Sequence, residues 1–188
     1  MRGVSWIVGA GLVAGGMLHA GDLPQSGSPL PAVWREQQMN FLYSGRTSRY
    51  SCDSLAEKLK ALLLELGARF DLRVRDVSCD PTNTNLELSF SSPALPSEAR
   101  PVHEGDLRAV DARFEGFTLT NDAFRNFGSA DCEVVEEFVR QVLPRLATRA
   151  VHSDIDCVDY QRQKNGSHYL VRGEILRTLP PGEERRER

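Results

Sequence analysis

The sequence predicts an α+β fold made of two pseudo-symmetric β-α-β-β repeats, with a largely antiparallel sheet and two helices on one of its faces. Three observations predict this fold: an internal repeat, an apolar stripe of helical period in each copy, and cysteines that recur at equivalent places. A helix with one apolar stripe has to bury it against another element, and a shared sheet face is the simplest place for both stripes. One disulfide is expected in each repeat.

The internal repeat is seen when the chain is shifted by 80 positions, which aligns Cys52 with Cys132 and Arg69 with Arg149 without a gap. After the helices, a shift of 78 positions aligns Cys79 with Cys157. The apolar residues of the first copy recur as apolar residues in the second, and they lie on one face of a helix. They are Leu55, Leu59, Leu62, Leu63 and Leu66.

The first residues predict an export signal. Arg2 is followed by an apolar stretch from Val4 to Leu18, and the small residue Ala20 follows shortly after it. A short positive region, an apolar region and a small residue at the cleavage point are the three parts of a secretory signal. We predict a signal peptide over residues 1–20 and a location in the periplasm or outside the cell. An uncleaved anchor is the alternative, but the apolar run falls short of the ~20 residues of a spanning helix and is rich in glycine.

The first repeat is predicted over residues 33–92, after a flexible lead-in of residues 21–32 that is rich in proline, glycine and serine. Ser51 is a suitable N-cap for its helix, and Gly67 is a suitable C-terminal stop. The strands of this repeat are predicted at residues 39–43, with a start as early as Val33, at 72–79 and at 86–90.

The second repeat is predicted over residues 107–179, between a proline-rich linker of residues 93–106 and a disordered charged tail of residues 180–188. Asp131 is a suitable N-cap for the second helix. Pro144 would clash with the preceding turn of that helix, so the helix either kinks there or ends about one turn early. The strands are predicted at residues 110–120, 150–157 and 169–176.

Four cysteines allow three disulfide pairings, and the lengths of the elements select one of them. The helix from Cys52 climbs about 21 Å, and the following strand returns about 23 Å to Cys79. In the second copy the helix from Cys132 also climbs about 21 Å, and the strand returns about 20 Å to Cys157. We therefore predict the pairs Cys52–Cys79 and Cys132–Cys157. The export signal supports oxidation, because disulfides persist outside the cytosol.

Composition and motifs argue against several functional classes. The chain has 23 Lys and Arg against 26 Asp and Glu, a formal net charge of -3, which does not favour a nucleic-acid partner. The sequence has no Gly-x-Ser-x-Gly motif, phosphate loop or dinucleotide fingerprint, and its histidines lack zinc-site spacing. We expect no cofactor and no metal site, and the sequence singles out no catalytic residue.

The loop before each helix is a candidate anion site. Arg46 and Arg49 precede the first helix, and Arg125 precedes the second. Helix N-termini have unpaired N–H groups and the positive end of the helix dipole, so neighbouring arginines could bind a carboxylate or phosphate there. The alternative is that Ser51 and Ser129 only cap the helices and that the arginines are solvated.

The segments 50–55, 62–69 and 77–79, which read YSCDSL, LLLELGAR and VSC, resemble a group of uncharacterised exported proteins of Gram-negative bacteria. The resemblance covers most of the chain after the signal, is most specific in the first repeat, and implies a periplasmic location but no particular activity. We expect a non-catalytic module that binds a periplasmic protein or a small anionic ligand. The alternative is a periplasmic hydrolase with a site at the junction of the repeats.

Overall fold

The computed structural model describes residues 27–46, 48–80, 83–98, 109–121, 127–158 and 166–180. These residues form one six-stranded sheet, in which all five strand pairs are antiparallel, and two α-helices. The predicted α+β fold is confirmed. The predicted signal peptide and the residues after Pro180 lie outside the described residues. Neither described helix has the length and apolar composition needed to cross a bilayer.

The same order of elements occurs twice along the chain. The first half has β1 (Leu30–Tyr43), α1 (Cys52–Glu65), β2 (Arg73–Ser78) and β3 (Thr84–Ala94), and the second half has β4 (Ala109–Thr120), α2 (Cys132–Gln141), β5 (Thr148–Asp156) and β6 (His168–Thr178). The strands lie in the order β2-β3-β1-β4-β6-β5. Each half therefore places its first strand at the centre of the sheet and its second strand at an edge, as expected for two equivalent halves. The internal repeat itself stays a prediction.

Two predicted boundaries are wrong, and both involve proline. Strand β1 begins at Leu30, inside the predicted lead-in of residues 21–32, and β3 continues through Pro93 to Ala94, inside the predicted linker of residues 93–106. Pro31 pairs only with β4, and Pro93 pairs only with β1. Each proline thus lies where its strand has one neighbour, and the open side of such a strand tolerates the missing N–H group.

The helices pack on one face of the sheet and share a single core. Helix α1 buries its leucine stripe, and α2 buries Val134, Val135 and Phe138. One continuous cluster contains these side chains together with strand residues of both halves, among them Phe41, Leu88 and Val171. Burial of this apolar surface stabilises the two halves as one unit, at about 25 cal/mol for each Å² removed from water.

Strands β1 and β4 join the halves over a short distance only. Their pairing extends from Leu30 opposite Ala112 to Val33 opposite Ala109, and the rest of β1 pairs with β3 alone. Helix α2 approaches the edge that is left open. The Gln141 side chain accepts from the N–H of Leu42 at 2.9 Å and donates to its carbonyl oxygen at 2.7 Å. One side-chain amide thus satisfies a backbone donor and acceptor that lack a strand partner.

The helix ends follow the sequence predictions in most respects. The Ser51 hydroxyl accepts from the Ser54 N–H at 3.2 Å, and Gly67 follows α1 with a φ of +83°. Helix α2 ends at Gln141, and Pro144 lies in a separate 3-10 turn, Leu143–Arg145. Of the two alternatives for the second helix, early termination is therefore the one observed.

The disulfides are those predicted. Cys52 bonds to Cys79 with their Cα atoms 5.9 Å apart, and Cys132 bonds to Cys157 with their Cα atoms 5.5 Å apart. Each bond ties the first turn of a helix to the end of the strand that follows it. Both bonds lie within a half, so contacts between the halves are non-covalent apart from the connecting backbone.

Candidate functional site

A buried polar network lies where the loop before α1 meets the start of α2. Its two carboxylates belong to Asp131 and Glu133, which are 5% and 3% exposed. Acidic side chains are rarely this buried unless they are paired. The position at the helix start is electrostatically favourable for both, since this is the positive end of the helix dipole.

Glu133 is bound almost entirely by the loop of the other half. Its Oε2 accepts from the N–H of Arg46 at 3.2 Å, from the N–H of Ser48 at 3.3 Å and from the Tyr43 hydroxyl at 3.4 Å. Its Oε1 lies 3.5 Å from Nε of Arg46. A single carboxylate thus fixes the shape of the loop that leads into α1.

Asp131 is at the N-cap position of α2, as predicted, but it makes no capping bond there. Its carboxylate accepts from the Tyr50 hydroxyl at 2.6 Å and lies 2.8 Å from Nζ of Lys58. It also accepts from the N–H of Gly128 at 2.8 Å. The prediction that Asp131 caps α2 through its side chain is therefore wrong. The carboxylate instead points towards the Lys58 ammonium group and the Tyr50 hydroxyl of the first half.

Burial has a marked effect on the two phenols of this network. It raises the pKa of Tyr50 far above its usual value, and the hydrogen bond to Asp131 and the charge of Asp131 add to the rise. It raises the pKa of Tyr43 in the same way, with the charge of Glu133 as the next cause. Both phenols therefore remain neutral hydrogen-bond donors to carboxylates in neutral solution.

These pKa shifts predict a loss of stability in alkali. Below about pH 10, the usual pKa of tyrosine, the phenols are protonated in both the folded and the unfolded chain. Above it the unfolded chain releases protons that the folded chain retains, so the free energy of unfolding falls, by up to about 1.4 kcal/mol per pH unit for each tyrosine. Urea unfolding at a series of alkaline pH values should show this fall, and Tyr50→Phe should make its slope shallower. An unchanged slope in that variant would reject the assignment.

The residues of the predicted anion site are only partly available to an anion. Arg46 lies 3.0 Å from Glu136 in addition to its contact with Glu133, and Ser51 is used as the cap of α1. Arg49 is exposed in the same loop, and Arg125 lies outside the described residues. An anion would have to displace two carboxylates from Arg46. Anion binding at this loop therefore stays a prediction.

Comparisons with protein-family models, with curated proteins and with solved structures find no match. Among the described residues, no group of three or more His, Cys, Asp or Glu side chains is placed to hold a metal ion.

A groove of about 500 Å³ crosses the sheet face of the first half that points away from the helices. Two rows of its side chains run across the strands: Arg75 lies opposite Glu87, and Arg73 lies opposite Ser89, which in turn lies opposite Gln38. Glu87 is bonded by Gln38. Within the described part of the chain, Arg73 and Arg75 are exposed and have no hydrogen-bond or ion-pair partner. The guanidinium groups of Arg73 and Arg75, both without a partner among the described residues, therefore lie next to each other on the polar surface of this groove.

The second half has a shallower counterpart of about 360 Å³ over β4, β6 and β5. There Arg149 is already paired with Glu174, and its guanidinium lies 4.1 Å from the centre of the Phe114 ring. Arg172 is the arginine of this groove that has no partner among the described residues. The groove of the first half thus has two arginines without a partner among the described residues, and that of the second half has one.

Sequence reasoning missed the arginines of the larger groove. Arg73 and Arg75 fall within the predicted strand of residues 72–79, and their spacing of two residues places them on one face of it. Charged residues on an edge strand are common as protection against aggregation, so this spacing alone did not distinguish them. Their lack of a partner depends on the residues opposite them on β3: Ser89, opposite Arg73, carries no charge, and Glu87, opposite Arg75, is bonded by Gln38.

Proposed function

We propose that this protein is an exported, non-catalytic binding module that acts in the periplasm or outside the cell. Its two disulfides support this location, because such bonds persist in oxidising compartments. The apolar N-terminal stretch and the resemblance to exported Gram-negative proteins point the same way. Mass measurement of protein recovered from the periplasm tests the proposal, since cleavage after Ala20 leaves a chain that starts at Gly21.

The larger groove is the binding surface in this proposal, and its free arginines are the observation that carries it. Residues two apart on a strand are about 7 Å apart, so Arg73 and Arg75 match a ligand or partner segment with two separated acidic groups. A guanidinium binds carboxylate or phosphate through paired hydrogen bonds. Ser89 and Ser91 add hydroxyl groups to the same surface. We therefore propose a small anionic ligand or an acidic protein segment as the bound species.

The hydrolase alternative has less support. The titratable groups that converge at the junction of the halves are Asp131, Glu133, Tyr43, Tyr50 and Lys58, and each is engaged by another group of the protein. Catalysis needs acids and bases that can reach a substrate. This network instead stabilises the loop before α1 against the start of α2.

Titration with citrate, a tricarboxylate, tests the groove. NMR should show shifts of the Arg73 and Arg75 guanidinium signals, and the Arg73→Ala/Arg75→Ala double variant should bind at least about tenfold more weakly, because two charge-assisted contacts are lost. Arg172→Ala is the matched control, since it removes an unpaired arginine from the other half of the same face. Equal affinities of the double variant and the wild type would refute the proposal.

A further inference from the structure

The two edges of the sheet are suited to each other. A sheet of six antiparallel strands has edge strands of opposite direction, here β2 and β5. A second copy placed beside the first by translation would therefore continue the antiparallel pattern and keep its helices on the same side. We propose that β2 of one copy pairs with β5 of a second copy, so that the protein associates head to tail.

Charge complementarity on the helix-free face supports this pairing. Arg73 and Arg75 of β2 are exposed on that face, and Asp154 and Asp156 of β5 are exposed on it as well. Alternating residues of a strand share a face, so both pairs have the same spacing. With Arg75 of one copy opposite Asp154 of the next, Arg73 lies opposite Asp156. Among described groups, the nearest ionic partner of Asp154 is His168, at 3.8 Å.

The same register is favourable on the helix face. It places Val74 opposite Ile155 and Leu72 opposite Cys157. All four side chains are partly buried and already pack against the core of their own copy. Pairing of the edges would bring these apolar margins together and remove more of their surface from water. Both faces therefore select one register.

Irregularities at the two edges agree with this register. The ladder of β2 is disturbed between Asp76 and Ser78, and that of β5 between Arg149 and His152. In the proposed register both disturbances lie at the same end, and the regular residues 73–76 face the regular residues 153–156. Bulges normally protect an edge from pairing, and here they end the paired segment on one side, after residues 76 and 153, so that only a short stretch of each edge can pair. The association is consequently weak and reversible.

Other pairings are less favourable. A shift of β2 against β5 by two residues in one direction places Asp71 opposite Asp156, so two like charges meet. A shift by two residues in the other direction places Val77 opposite Asp154, so an apolar side chain replaces the arginine opposite that aspartate. If β2 paired with the β2 of a second copy, with the helices of both copies on the same side, Arg73 would lie opposite the Arg75 of the other copy. Pairing of β5 with a second β5 would bring Asp154 and Asp156 together in the same way. Like charges directly opposite each other destabilise a strand pair. The heterologous contact is open-ended, so it leads to chains or rings of copies rather than to a closed dimer.

Sedimentation velocity over a concentration series, in low salt, tests the proposal with the oxidised full chain. The wild-type average mass should rise with concentration, and added salt should reverse the rise because surface ion pairs are screened. The variants Arg73→Glu/Arg75→Glu and Asp154→Arg/Asp156→Arg should each remain monomeric. An equimolar mixture of the two should associate again, since each reversed edge then finds a complementary edge on the other variant.

Lys60→Glu/Arg140→Glu is the matched control, because it makes the same change in net charge on helix surfaces and should associate like the wild type. A monomeric wild type at all concentrations would overturn the proposal, and so would a mixture that stays monomeric while its components retain the wild-type circular dichroism. The Asp154→Arg/Asp156→Arg variant leaves the groove of the first half intact. Its citrate binding therefore separates failure of self-association from failure of the proposed binding function.

Discussion

Replacing Glu133 with alanine should lower the free energy of unfolding by about 2 to 4 kcal/mol, because removal of a buried acceptor leaves its two backbone N–H donors unsatisfied. The N–H groups of Arg46 and Ser48 lose the acceptor that they share, while the Tyr43 hydroxyl keeps its hydrogen bond to the Ser48 carbonyl oxygen at 2.8 Å. Urea denaturation followed by circular dichroism measures the loss. Glu133→Gln should cost less, since its amide oxygen still accepts hydrogen bonds while the charge is gone.

Glu136 provides the matched control for Glu133. It also contacts Arg46, at 3.0 Å, but its side chain is 42% exposed against 4% for Glu133. Solvent-exposed ion pairs contribute about 0 to 1 kcal/mol, so Glu136→Ala should change the stability by less than about 1 kcal/mol. Similar losses for the two variants would mean that the buried carboxylate has no special part in joining the halves.

Removing either disulfide should cost about 3.5 kcal/mol, because each bond closes a loop of similar length and limits the entropy of the unfolded chain. The bonded cysteines are 27 and 25 residues apart. The variants Cys52→Ser/Cys79→Ser and Cys132→Ser/Cys157→Ser should therefore lose nearly equal stability in urea denaturation. The double replacement within one pair avoids a free thiol that could exchange with the remaining bond.

The pairing of the cysteines is tested by digestion without reduction. Peptides that join Cys52 to Cys79 and Cys132 to Cys157 should be recovered. A fragment that joins Cys52 to either cysteine of the second half would reject the pairing. Strongly unequal losses of stability in the two double variants would show that loop entropy alone does not explain the contribution of these bonds.

The parts of the fold that are local in sequence could be predicted. The helical stripe of α1, its cap at Ser51 and its stop at Gly67 are set by neighbouring residues. The disulfides could also be predicted, because each helix and the strand after it have similar lengths and run in opposite directions. The end of the strand therefore lies beside the start of the helix, where the two cysteines are. Contacts between residues far apart could not be predicted. Glu133 aligns with Asp53 of the first copy, which is exposed, so nothing in the repeat indicated that one acidic residue is buried.

The boundaries of β1 and β3 show a second limit of sequence reasoning. Proline-rich composition is typical of loops, yet Pro31 and Pro93 are in strands because the open side of each strand requires no donor. Whether a strand is open at a given residue depends on the complete sheet order. The candidate groove has the same dependence, since the sheet order leaves Arg73 and Arg75 with neighbours on β3 alone, and among the described residues none of these binds them.

The amide bonds between Gln141 and Leu42 have a consequence for the order in which the chain is made. The two residues are 99 positions apart, so the ribosome delivers the open edge of β1 long before the side chain that closes it. Until α2 arrives, the nascent first half presents an unpaired backbone on which a neighbouring chain could template aggregation. For an exported chain, a chaperone that shields this edge would therefore be needed most until the second half has also been translocated and has folded.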